Sequence, residues 1–187
     1  MSNRDFHSTG TGMAFNGPAE STGWKLERFV VEKFWVDPDT GRVPDGAEPY
    51  EVVEGAGNLL TYGGAGAMWQ LWIGGSITPY DNANAWLGVG DSTDDADRTQ
   101  TDLQASTNKS MMPMDATYPL HTDSTTSAAS SIIYKATYGT SEANFDWNEW
   151  GLFNASAGGR MANRKVEYLG TKTSSSEWTL TIVIGLS

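Results

Sequence analysis

The chain contains no cysteine, so it can form neither a disulfide nor a thiolate metal site. Histidine is nearly absent: His7 and His121 are the only two, both in polar segments, and no nucleophile-elbow turn positions a serine for a hydrolytic triad. Positive charge is scarce, with 12 Lys and Arg against 23 Asp and Glu and a formal charge of -11. A nucleic-acid binder needs a basic footprint to displace counterions from phosphates. The densest basic group, Arg160, Arg164 and Lys165, is too small for that. No apolar run approaches the roughly 18–20 residues that span a bilayer, and Met1-Ser2-Asn3-Arg4-Asp5 opens no apolar signal segment. These absences predict a soluble chain made in the cytoplasm, with no nucleic-acid and no membrane partner.

What is present favours a β protein. The 187 residues suit one domain, 39% are hydrophobic, and 8 are Trp, enough for a substantial core. Abundant Gly, Ser and Thr point to turns and strands over a helical bundle. Residues 1–23 are polar with scattered Phe6, Met13 and Phe15 and read as an extended arm. The remainder, 24–187, reads as a single β-rich domain. Residues 24–36 are dense in Phe, Val and Trp and predict a strand, closed by Asp37-Pro38-Asp39-Thr40-Gly41. Residues 50–54, 85–90, 132–138 and 161–169 predict further strands, and 101–108 a helical turn. The stretch 109–130 reads as mixed loop.

Residues 58–73 are the helix candidate, with Asn58 as N-cap and Gly74-Gly75 as terminator. Leu60, Met68, Leu71 and Trp72 form its expected core stripe. Gly63, Gly64 and Gly66 weaken the propensity but would admit a close neighbour. The cleanest strand is the last. Trp178, Leu180, Ile182, Ile184 and Leu186 alternate with Glu177, Thr179, Thr181, Val183 and Gly185, the pattern of a half-buried strand. In 145–153, period 2 places Phe145, Trp147, Glu149, Gly151 and Phe153 on one face and Asp146, Asn148, Trp150 and Leu152 on the other.

The sites that could carry chemistry are few. Asp91, Thr93, Asp95, Asp97 and Asp102 fall at calcium-loop positions 1, 3, 5, 7 and 12, but Ala96 replaces the required Gly and Asp102 the bidentate Glu. The preferred reading is a solvated loop with local Asp and Thr caps, and no metal or cofactor is expected. Asp146 and Glu149 face opposite sides of their strand and cannot converge as a glycosidase pair. Gly88-Val89-Gly90 lacks the third glycine and the helix of a dinucleotide fingerprint. Of the tryptophans, Trp72, Trp86, Trp147 and Trp178 read as core, while Trp24 and Trp150 are the candidates for a surface role, as interface or sugar anchors. Glu149, the lone carboxylate on an aromatic face, reads as a buried structural anchor that needs a cationic partner, with Arg160, Arg164 or Lys165 supplying it.

Several segments carry a resemblance. Asn58-Leu59-Leu60, the run from Met68 to Gly74, and Ala83-Asn84-Ala85-Trp86-Leu87-Gly88-Val89-Gly90-Asp91-Ser92-Thr93 resemble structural proteins of tailed-bacteriophage virions. So do Gln100-Thr101-Asp102-Leu103, Ala143-Asn144-Phe145-Asp146-Trp147-Asn148-Glu149-Trp150-Gly151-Leu152-Phe153-Asn154, and Asn163-Arg164-Lys165-Val166. The Asn-Phe-x-x-x-Glu-x-Gly-Leu-Phe pattern is also similar to a segment of tail-collar and fibre proteins. The resemblance covers about residues 56–187. It implies a non-enzymatic structural role in the virion; small size, the lack of cysteine, an acidic surface and an orderable arm make a capsid decoration (cement) protein the preferred expectation. Its implied partners are the major capsid protein or other virion proteins, and further copies of itself, with a trimer preferred. The alternative it implies is a tail, collar or fibre component that aids tail assembly or binds a host glycan. The expected fold is mainly β (β-rich α+β): an antiparallel sandwich or barrel-like sheet with one packed helix.

Overall fold

The computed structural model describes residues 24–121 and 129–186. The expected arm, residues 1–23 with His7, lies outside the described residues. Ten strands and one helix follow in order: β1 (Trp24–Trp35), β2 (Glu51–Gly55), β3 (Leu59–Leu60), α1 (Tyr62–Trp72), β4 (Trp86–Gly90), β5 (Lys109–Pro113), β6 (Leu120–His121), β7 (Ser131–Tyr138), β8 (Asp146–Phe153), β9 (Met161–Thr171) and β10 (Ser176–Leu186). They form two five-stranded sheets, ordered β2-β1-β10-β7-β6 and β3-β9-β8-β4-β5. Every named pairing is antiparallel. The fold is the expected mainly β architecture with one helix.

The sheets face each other across one apolar layer. Phe29, Val31, Tyr134, Ala136, Tyr138, Trp178, Leu180 and Ile182 come from the first sheet. Leu87, Val89, Trp147, Trp150, Leu152 and Leu169 come from the second. The alternation in β10 explains its part directly: Trp178, Leu180 and Ile182 all point inward. The aromatic centre is an edge-to-face chain, with Trp147 4.6 Å from Tyr138 and 4.9 Å from Trp178. Tyr138 also donates its hydroxyl to Leu87 O across the layer at 2.8 Å. Each buried Trp removes roughly 150–250 Å² from water, a gross stabilisation of about 4–6 kcal/mol at ~25 cal/mol per Å².

In β8 strict alternation fails. Trp147 pairs with Gly170 but Glu149 pairs with Val166, so β9 carries extra residues opposite Asn148. The irregularity resets the parity. Trp147, Trp150 and Leu152 all join the layer between the sheets, while Phe153 turns to the opposite face. Trp150 was expected at the surface; it is instead fully buried and lies 5.4 Å from Phe29. On that opposite face Leu103, Phe153 and Met161 form a second, smaller apolar cluster with Trp86 and Met111. The segment between β4 and β5 covers it. That segment contains no helical turn at 101–108.

The helix differs from expectation at its start. Thr61 is the N-cap, its hydroxyl accepting from Gly64 N at 3.0 Å and donating to Met161 O at 2.5 Å. Asn58 precedes a strand instead. Gly74, with φ +74°, ends the helix. Gly64 sits against β9: a Cβ there would lie 2.2 Å from Ala162 O. That close approach orients α1, turning Gly64 and Ala67 inward. Gly64→Ala is expected to cost about 1–3 kcal/mol through overpacking. An unchanged urea midpoint would contradict this contact. Among the described residues no helix is long and apolar enough to cross a membrane.

Candidate interaction surface

Two places hold the side chains that sequence and packing single out. The first is the outer side of the second sheet. Glu149 on β8 and Arg164 on β9 are both inaccessible to solvent, with Arg164 Nε donating to Glu149 Oε2 at 2.7 Å. The same carboxylate accepts two backbone amides from the covering segment: Gln104 N at 3.0 Å and Ala105 N at 2.7 Å. Arg164 Nη1 in turn donates to Asp95 O at 3.1 Å and Gln100 Oε1 at 3.0 Å. One ion pair therefore holds both ends of the 95–105 segment down on the sheet. Gly90 makes room for it: a Cβ there would meet Glu149 Oε1 at 2.6 Å and Ala105 Cβ at 2.9 Å. Gly88-Val89-Gly90 thus forms a low floor beneath a buried carboxylate.

This arrangement holds structure together and leaves little for chemistry. Glu149 spends its oxygens on three donors and is closed off from solvent. Asp146 lies on the exposed edge, accepting from the Thr171 hydroxyl. Glu142 accepts from the Ser141 hydroxyl at 2.6 Å. The acidic loop is likewise engaged. Asp97 caps Thr99 N at 2.7 Å, Asp91 accepts from Asn108 Nδ2 at 2.7 Å, and Asp102 pairs with Lys109 at 2.6 Å. Asp95 contributes its backbone oxygen to Arg164. Among the described residues no three His, Asp or Glu side chains converge on a possible metal position. His121 is exposed on the short β6.

One buried amine gives the fold a measurable pH dependence. Lys172 Nζ donates to Gly139 O at 2.5 Å and Asn144 Oδ1 at 3.0 Å. Burial pulls its pKa from 10.5 down to about 8, against the opposing pull of Glu142 and Glu177. Between those values the unfolded chain holds a proton that the folded chain has released. The Lys172 contribution to stability therefore rises with pH across that window. Tyr80 acts oppositely: burial pushes its hydroxyl from 10.0 up to about 12, so stability falls above pH 10.0 as the unfolded chain deprotonates first. Lys172→Met should flatten the rise in melting temperature from pH 8 to pH 10. An unchanged slope would contradict the assignment.

The second place is α1. Gly64 and Ala67 face the protein, and Met68 and Leu71 line a cavity of about 130 Å³ with Leu60, Tyr134, Leu152 and Ile184. The opposite side carries Tyr62, Trp69 and Trp72, followed by Ile73, all exposed. Trp72, expected in the core, is 77% exposed and Trp69 56%. The rotation set by Gly64 is the reason, because it gives the inward stripe to 64, 67, 68 and 71 and leaves 62, 69 and 72 outside. The rings of Trp69 and Trp72 stack 5.7 Å apart and 8° from parallel. No charged residue interrupts the helix. The sequence did hold a partial signal for this face: Tyr62, Trp69 and Trp72 fall outside the stripe of 64, 67, 68 and 71, on a helix with no charged residue.

Of the two surface anchors expected, Trp150 is buried, and the side chain of Trp24 lies outside the described ones, although its backbone pairs with Leu186. Trp147 and Trp178 are buried as core and Trp86 is half-buried. Comparisons with protein-family models, with curated proteins and with solved structures found no match.

Proposed function

We propose that this chain is a non-enzymatic structural protein of a tailed-phage virion, a capsid decoration (cement) protein that binds across capsomers and stabilises the head. The observation that carries the reading is a surface for assembly, the uncharged aromatic face of α1, on a two-sheet fold whose buried carboxylate Glu149 is committed to structure. An exposed apolar patch of this kind marks a surface made to be covered. The resemblance of residues 56–187 to virion components supplies the setting. Its partners are the major capsid protein and further copies of the chain, and its location is the virion, assembled in the host cytoplasm. Many modest contacts repeated over a shell stabilise by avidity.

The reading as a tail or fibre protein that binds a host glycan loses one of its two anchors, since Trp150 is enclosed. The cement reading predicts that particles lacking the chain release their genome at lower temperature, or under milder osmotic shock, than complete ones. Equal robustness of the two would sink it.

A further inference from the structure

We infer that the outer face of α1 is where two or more copies of this chain meet. The inference rests on the homo-oligomeric part of the virion reading and names the surface responsible.

The helix has an inverted distribution of bulk. Toward the protein it offers Gly64 and Ala67, with Met68 and Leu71 over a cavity. Asn163, which also lines that cavity, is buried, and its Nδ2 has no hydrogen-bond partner among the described residues. Toward solvent the helix offers two tryptophans, a tyrosine and, at its C-cap, an isoleucine. An eleven-residue helix is marginal by itself and depends on packing. Here the larger share of packing surface points outward, so the helix is completed only by something placed over it.

Size and charge identify that something as another copy. Tyr62, Trp69, Trp72 and Ile73 together expose on the order of 600 Å², the greater part of the ~800 Å² that each partner of a standard interface contributes. The chain carries a formal charge of -11, so most of its surface repels a second copy. The segment Tyr62–Trp72 carries no charge and adds nothing to that repulsion. A partner with a basic surface would call for acidic residues on this face, and there are none. The Trp69–Trp72 stack is already formed, so association need not order it. A patch that meets its own equivalent around a rotation axis closes into a finite oligomer.

The test is sedimentation velocity on the full chain and on W69E/W72E, with Trp35→Glu as control. Trp35 is also exposed and is stacked on Tyr50, but it pairs with Ser176, at the far end of β1 from the cavity wall at Ile184. The expected result is an oligomeric wild type and an oligomeric Trp35→Glu. W69E/W72E should run at the 20.2 kDa of one chain, with self-association weaker by roughly a thousand-fold and an unchanged far-UV spectrum. If W69E/W72E does not fold, Ile73→Cys in this cysteine-free chain should cross-link to a covalent dimer through a short bis-maleimide. An oligomeric wild type with neither effect would overturn the inference and leave the homo-oligomeric reading standing. A monomeric wild type would overturn both. A monomer that binds emptied capsids, and loses them on W69E/W72E, would reassign the face to the capsid protein.

Discussion

Glu149→Ala is expected to lower the free energy of unfolding by about 3–5 kcal/mol, the cost of breaking a buried ion pair from one side. The loss has three parts. The Arg164 guanidinium stays enclosed without its carboxylate, and the amides of Gln104 and Ala105 lose their common acceptor. The void left by the side chain opens beneath the covering segment. Against a typical total of about 5–15 kcal/mol, that leaves a marginal protein at best. Glu149→Gln should be nearly as harmful, because its amide nitrogen would point one donor at other donors. Replacing both partners, Glu149→Leu with Arg164→Met, should recover part of the loss, since no charge is then stranded. Urea unfolding of the four proteins reads the comparison directly. A Glu149→Ala penalty below about 1 kcal/mol, typical of exposed pairs, would show that the pair is not a structural anchor.

Removal of residues 176–187 is expected to abolish cooperative folding altogether. β10 is the middle strand of its sheet, paired with β1 from Trp24↔Leu186 to Trp35↔Ser176 and with β7 from Trp178↔Tyr138 to Gly185↔Ser131. Its loss exposes two strand edges at once. It also removes Trp178, Leu180 and Ile182 from the core, each contributing roughly 1.5–3 kcal/mol or more. Together with the broken ladders this exceeds the stability of an ordinary domain. The truncated chain should show no sigmoidal thermal transition and a red-shifted tryptophan emission. A sharp transition with native-like emission would mean that the two-sheet core does not depend on β10.

The part of this fold legible in the sequence is the part set by local period. β10 alternates in sequence, and Trp178, Leu180 and Ile182 enter the core as that pattern requires, although Thr179 and Val183 on its other face are buried as well. The segment 145–153 also reads as a period-2 strand, but the extra residues of β9 opposite Asn148 reverse the parity of Trp150, and nothing in 145–153 itself reveals a bulge on the neighbouring strand. β5 and β6 escaped notice for a different reason: Lys109–Pro113 ends in proline and Leu120–His121 is two residues long, so neither offers a period to count. The need of Glu149 for a cationic partner was visible from its aromatic neighbours, and Arg164 was among the cations within sequence reach. The amides of Gln104 and Ala105 were not, because a backbone donor 44 or 45 residues away has no residue type to mark it. On α1 the composition was informative and the rotation was not. The orientation comes from one contact, Gly64 against Ala162, that only the fold creates.

We propose that the chain is a component of a phage head surface. Antibody-gold labelling of intact tailed-phage particles assembled with the chain tests this proposal most directly. The account predicts gold distributed over the capsid and absent from particles assembled without the chain. Label confined to the tail or its tip, or intact particles that bind no antibody, would contradict it.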